Sequence, residues 1–269
     1  MNRFTQTMRR LRSGKSLGLF PYLTAGFPDA QSWTSILDLM VECGADGLEV
    51  GMPFSDPLAD GVTLQRAGAH ALEQGITLKR TLTGLAEARP AAPVALMSYV
   101  NPLLAYGLAA LGRDAAASGV DAFIVPDLPL GESAELRSIC AANDLGYVPM
   151  VAPTSTDDHL RAVNQVDATF VYCVALLGVT GARTSLDENL GAFLTRVRSL
   201  VQHPLVVGFG ISRPEHVTQL HDYADGAIVA SAIADIIEQS GSDAADGNIR
   251  AYLTEMKSAC LPKQTTQLI

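Results

Sequence analysis

The chain has no excess of basic residues. Its 19 lysines and arginines are outnumbered by 28 acidic residues, for a formal charge of −9 and a pI near 5.0. No basic stripe suited to a nucleic-acid backbone is present. The single basic cluster, Arg9, Arg10, Arg12 and Lys15, reads as the solvated face of a first helix. Acidity does not exclude a small anionic substrate, because backbone dipoles bind phosphate even inside an acidic protein. Cysteine is sparse: Cys43, Cys140, Cys173 and Cys260 are scattered, with no C-x-x-C and no metal-ligand spacing. They read as reduced thiols of a cytoplasmic protein, with no metal site expected. The opening MNRFTQTMRR lacks an apolar signal segment. No apolar run approaches the roughly eighteen residues of a membrane span without a Gly, Pro or polar break.

What is present is alternation. Short apolar runs occur at 17–24, 47–51, 93–99, 121–127, 146–152, 169–175, 204–210 and 225–230. Helix-length amphipathic stretches lie between most of them, as at 29–44, 110–119 and 155–166. Asp29, Ser155 and Ser212 stand where a helix N-cap is expected, and Gly44 and Gly119 where a helix would stop. Strands alternating with helices predict parallel pairing with right-handed crossovers. Eight units in this length fit an α/β chain folded as one (β/α)8 TIM barrel over residues 1–269, with an extra N-terminal helix. A doubly wound open sheet is the alternative. The polar segment 239–248 reads as a loop before a last helix at 248–259.

A barrel places its chemistry at the C-terminal ends of the strands. Polar residues gather there: Glu49, Ser98, Tyr99, Asn101, Asp127 and Tyr172. Glu49 lies between Leu48 and Val50. If those neighbours pack on outer helices, Glu49 points into the barrel. A buried carboxyl there would have a raised pKa and could give and take protons near neutrality, unless it is a structural acid with a fixed partner. Asp56 and Asp60 follow on a Pro-rich loop, where turn chemistry competes with a catalytic reading. Gly208 and Gly210, the loop 177–183 and the stretch VASA at 229–232 suit a phosphate cradle built on backbone N–H groups, or simply tight turns. The residues alone thus indicate a barrel enzyme doing acid–base chemistry on a small phosphorylated substrate.

Several blocks together resemble the tryptophan synthase alpha subunit family: PYLTAGFPD (21–29), LEVGMPFSDPLADG (48–61), MSYVNPLLAYG (97–107), VPDLP (125–129), GVTGAR (178–183) and GFGIS (208–212). The resemblance implies retro-aldol cleavage of indole-3-glycerol phosphate to indole and glyceraldehyde 3-phosphate, without a cofactor. It also implies a tryptophan synthase beta subunit as partner in an αββα complex. By the same resemblance Glu49 is the acid/base and Asp60 holds the indole N–H. Tyr172 is the tyrosine beside Glu49. Tyr22, Tyr99, Leu128 and Phe209 line the indole pocket, Thr180 bonds Asp60 when the loop closes, and Gly181, Gly208, Gly210, Ala230 and Ser231 bind phosphate. The chain departs from the family's usual residues at Val62 (proline), Ala175 (serine) and Ala230 (glycine). A stand-alone lyase releasing free indole, a non-catalytic activator of a beta subunit and another phosphosugar enzyme are the competing readings. A Schiff-base aldolase is disfavoured, because no apolar run holds a lysine.

Overall fold

The structure, a computed structural model, describes residues 2–175, 188–208 and 210–262. Among these are nine parallel strands: β1 (Gly18–Thr24), β2 (Leu48–Gly51), β3 (Val94–Met97), β4 (Val120–Ile124), β5 (Gly146–Val148), β6 (Met150–Val151), β7 (Val171–Val174), β8 (Leu205–Gly208) and β9 (Gly226–Val229). Their order is β5-β4-β3-β2-β1-β9-β8-β7-β6. β5 and β6 are two halves of one stave, separated only by Pro149. β5 pairs with β4 and β6 with β7. The Pro149 carbonyl accepts the Tyr172 N–H at 2.9 Å, and Tyr147 bridges Ala168. The sheet therefore closes into eight staves at the eight expected runs, which excludes the open-sheet alternative.

The helices are α1 (Arg3–Gly14), α2 (Trp33–Glu42), α3 (Val62–Glu73), α4 (Leu78–Ala88), α5 (Val100–Tyr106), α6 (Leu108–Ala117), α7 (Ala134–Ala142), α8 (Asp157–Val163), α9 (Glu188–Leu200), α10 (Pro214–Gln219) and α11 (Ser231–Ala259). The three expected helical stretches are α2, α6 and α8. Gly44 (φ 91°) and Gly119 (φ 83°) follow α2 and α6 in the left-handed region, where glycine carries no Cβ penalty. The caps differ from expectation. Asp29 accepts the N–H groups of Gln31 and Ser32, both at 2.9 Å, in the turn ahead of α2. Thr156 rather than Ser155 caps α8, accepting the His159 N–H at 3.2 Å. α10 begins at Pro214 with Arg213 at its cap, because proline's fixed φ suits the first helical position.

The 239–248 loop is not found: α11 runs unbroken through it. Ile233, Ile237, Ala245, Ile249, Leu253, Met256 and Cys260 are all buried, and this stripe at helical spacing outweighs the low propensity of the polar residues between them. The basic cluster lies on the exposed face of the first helix, as expected: Arg9, Arg10, Arg12 and Lys15 are all exposed. Two of them also reach acids, Arg10 bonding Asp46 at 3.2 Å and Arg12 approaching Asp225 at 3.4 Å. Phe4, Met8 and Leu11 of α1 plug the N-terminal end of the barrel. There Phe4 lies 5.4 Å from Phe20 and 5.3 Å from Phe170, centroid to centroid.

Two apolar layers result. Leu19, Leu23, Leu48, Val50, Val94 and Leu96 face outward onto the helices. Phe20, Tyr22, Ala95, Met97, Ile124, Tyr172 and Ile228 face the barrel axis. The four cysteines are free, three of them buried. Among the described residues no helix is long and apolar enough to cross a membrane.

Candidate active site

The outward packing of Leu48 and Val50 settles the direction of Glu49, which points into the barrel and is 4% exposed. It stands in register with Tyr22 on β1 and Ala95 on β3. Its Oε2 has no hydrogen-bond partner among the described residues, so the structural-acid reading does not find there the partner it requires. Burial, and then the nearby charge of Asp60, push its pKa up to about 8. At neutral pH this carboxyl is therefore mainly protonated, poised both to give a proton and to take one back.

Asp60 and Asp56 separate clearly. Asp56 is exposed and accepts the Ser55 hydroxyl at 2.6 Å, an ordinary turn contact. Asp60 turns inward, where Tyr99 Oη donates to its Oδ1 at 3.0 Å. Burial raises the Asp60 pKa, and the Tyr99 hydrogen bond lowers it. Two phenols flank Glu49 on the inner wall. Tyr22 Oη accepts from Thr24 Oγ1 at 3.2 Å. Burial raises the pKa of both Tyr22 and Tyr172, keeping them protonated as potential donors. Each rests on a glycine: a Cβ on Gly51 would strike the Tyr22 hydroxyl, and one on Gly208 the Tyr172 hydroxyl. Gly208→Ala is accordingly expected to displace Tyr172 and lower kcat at least about tenfold, by the sensitivity of catalysis to misplacements near 1 Å. Steady-state turnover, with circular dichroism to verify folding, checks it.

These groups surround a cavity of about 240 Å³ at the C-terminal mouth. One side is apolar, formed by Met97, Ile124, Pro126 and Met150. The other end carries Gly210, Ala230 and Ser231. α11 starts there without a side-chain cap, and so does α3 at Gly61. Two helix N-termini without a side-chain cap thus border the cavity, an arrangement suited to an anion. Thr63 Oγ1 donates to Asp235 Oδ1 at 3.0 Å and Arg66 pairs with Glu238 at 2.7 Å, fastening the two helices together.

Of the residues expected from sequence, Glu49, Asp60, Tyr172, Tyr22, Gly210, Ala230 and Ser231 all line the cavity. Tyr99 stands behind Asp60, Gly208 lies beneath Tyr172, and Leu128 packs against the outer layer. Phe209, Thr180 and Gly181 lie outside the described residues. Met97, Ile124, Pro126 and Met150 were not anticipated. The signal for Met97 was strand alternation, which puts it on the same face as Ala95. Of the three departures, Val62 is exposed at the first turn of α3, and Ala175 is buried in the outer layer. Ala230 has φ −123°, outside the left-handed region that demands glycine.

A family model described as Tryptophan synthase alpha chain matches residues 8–261. A tryptophan synthase alpha chain of Chloroflexus aggregans is 46% identical over 262 residues, covering 96% of this chain and 98% of its own. One from Roseiflexus castenholzii is 46% identical over 243 residues, covering 89% and 93%. Among solved structures, Mycobacterium tuberculosis tryptophan synthase matches with TM-score 0.88 at 31% identity, over 97% of this chain and 99% of that one. The alpha subunit from Legionella pneumophila gives TM-score 0.88 at 32% identity, over 97% and 98%.

Proposed function

We propose that Glu49 and Asp60 carry the cleavage of indole-3-glycerol phosphate in this chain, which belongs to the tryptophan synthase alpha chain family. The chain is a carbon–carbon lyase acting in tryptophan biosynthesis, splitting its substrate into indole and glyceraldehyde 3-phosphate. The observation that supports these roles best is the Glu49 carboxyl itself. It is buried, has an oxygen without a partner among the described residues, and faces the same cavity as a second carboxyl of different exposure.

The chemistry asks for that division. Glu49, protonated, gives its proton to the ring carbon that bears the glycerol chain. Positive charge then spreads to the ring nitrogen, whose N–H donates to Asp60 and is stabilised by the carboxylate. The Glu49 carboxylate takes the proton from the adjacent glycerol hydroxyl. The carbon–carbon bonding pair returns to the ring, the oxygen becomes the aldehyde carbonyl, and Glu49 ends protonated as it began. Met97, Ile124, Pro126 and Met150 form the wall against which the indole ring lies. The phosphate takes the far end, on the N–H groups around Gly210 and Ser231. Tyr172 and Tyr22 flank the glycerol chain.

For the partner, we propose a tryptophan synthase beta chain seated over the mouth. Leu58 on the loop carrying Asp60 and Leu104 on α5 are 89% and 55% exposed, and apolar side chains at such positions suit a docking face. Steady-state indole release from indole-3-glycerol phosphate tests both parts. Slow release by the chain alone, rising steeply when a beta chain is added, is the expected result. Fast release unaffected by the beta chain would overturn the partner and leave a stand-alone lyase. No release under either condition would overturn the reaction.

A further inference from the structure

Tyr99 does not border the cavity, yet its hydroxyl makes two contacts at the acid. It donates to Asp60 Oδ1 at 3.0 Å and accepts the N–H of Ala59 at 2.9 Å. Because the amide proton occupies one lone pair, the phenol's own proton is aimed at the carboxylate. A single oxygen thereby fixes both the Asp60 side chain and the backbone just before it. Oδ2 of Asp60 has no hydrogen-bond partner among the described residues, which leaves it for a ligand.

Tyr99 is itself firmly placed. It is 1% exposed and packs against Phe54, centroid to centroid 5.4 Å. It stands at the N-cap of α5, whose first N–H, that of Val100, donates to Asp127 Oδ1 at 2.9 Å. The neighbouring Ser98 N–H donates to the Ile124 carbonyl at 3.0 Å. The end of β4 thus anchors α5, α5 anchors Tyr99, and Tyr99 anchors the loop that carries Asp60.

We propose that Tyr99 is a positioning residue for the cleavage, orienting Asp60 so that one carboxylate oxygen meets the ring N–H and keeping that carboxylate charged in its partly buried site. This rests on the role given to Asp60 above. A donor held on one oxygen favours the ionised form. Among the described residues Asp60 is surrounded by Tyr22, Tyr99, Tyr172 and Glu49, and no cation among them contributes to its electrostatics. Among the described residues it is the Tyr99 hydroxyl that opposes the desolvation of Asp60.

The test compares Tyr99→Phe, Asp60→Asn and the double variant, each by kcat/KM for indole-3-glycerol phosphate against pH. Tyr99→Phe is expected to lose about ten- to a hundredfold in kcat/KM, the size of one hydrogen bond to a charged group. The acidic limb of its profile should move up, because Asp60 becomes harder to ionise. Asp60→Asn should lose more, and adding Tyr99→Phe to it should cost nothing further. Replacing Tyr99 with 3-fluorotyrosine keeps the shape and both hydrogen bonds and strengthens the donor, so the limb should move down. A Tyr99→Phe loss of equal size in the Asp60→Asn background would mean a merely structural role and overturn the proposal. An unmoved limb in both Tyr99 variants would do the same. Wild-type activity in Asp60→Asn would instead overturn the reading of Asp60, and this inference with it.

Discussion

Glu49→Gln is expected to lose at least about a thousandfold in indole release, because one carboxyl serves both proton transfers and each is worth about 10²–10⁴. The same substitution is expected to make the protein more stable at neutral and alkaline pH. The pKa of Glu49 is raised from 4.5 to about 8. Below pH 4.5 the folded and unfolded chains both hold the proton, and the group costs nothing. As pH rises from 4.5 to 8, the unfolded chain ionises while the folded chain keeps its proton or buries a charge, so stability falls across that window. Glutamine removes the ionisation and with it the loss. At pH 7 the gain is on the order of 2 kcal/mol, since the pKa displacement gives an upper limit and the amide is still left poorly paired. For a chain of this length that corresponds to roughly 4–8 °C in Tm. Melting curves of both proteins at pH 4.5 and pH 8 check it: the difference should be near zero at the lower pH and largest at the higher. A variant less stable than wild type at pH 8 would mean that Glu49 is satisfied in the fold, and the catalytic argument from its unpartnered oxygen would fail.

Much of this site was readable in the residue order because strands impose a period of two. Once Leu48 and Val50 are assigned to helix packing, Glu49 has only the barrel axis to face. The same rule, applied to Ala95 and Met97, would have located one side of the apolar wall. Leu128 was favoured instead through its motif, although it lies beyond the strand end, where alternation no longer decides direction. Tyr99 shows a second limit. The hydrogen bond that gives it a role spans 39 residues, and such a pairing leaves no local trace. The polar stretch at 239–248 failed for a third reason. Composition describes the exposed side of a helix, whereas the fold depends on the buried stripe from Ile233 to Cys260. The basic cluster near the start was legible as a solvated face, but the aspartates that Arg10 and Arg12 reach lie far away in sequence and left no local sign.

Those aspartates lead to the second large effect, at the end of the barrel opposite the cavity. Asp121, 6% exposed at the start of β4, accepts the Val94 N–H at 2.8 Å and a two-point contact from Arg3, at 3.0 and 2.8 Å. Arg3 in turn reaches the carbonyls of Pro90 and Gly119, at 3.0 and 2.9 Å. Asp46 and Asp225 repeat the device: each accepts a strand N–H, from Leu19 at 3.0 Å and Leu205 at 2.7 Å, and each pairs with an arginine of α1. The plug helix is thus held by ion pairs that also terminate the sheet. Removing the Asp121 carboxylate strands a buried N–H and half of the Arg3 fork. Asp121→Ala is therefore expected to destabilise the protein by about 2–4 kcal/mol, read as a lower urea midpoint with an unchanged slope. Arg3→Met should cost less, because Arg3 is 44% exposed and the carboxylate would keep its backbone donor. Since the N-terminal face of a barrel contributes stability rather than chemistry, kcat per folded molecule should match wild type in both variants. A fall in kcat with the urea midpoint unchanged would place Asp121 in communication with the mouth and contradict that division of the barrel.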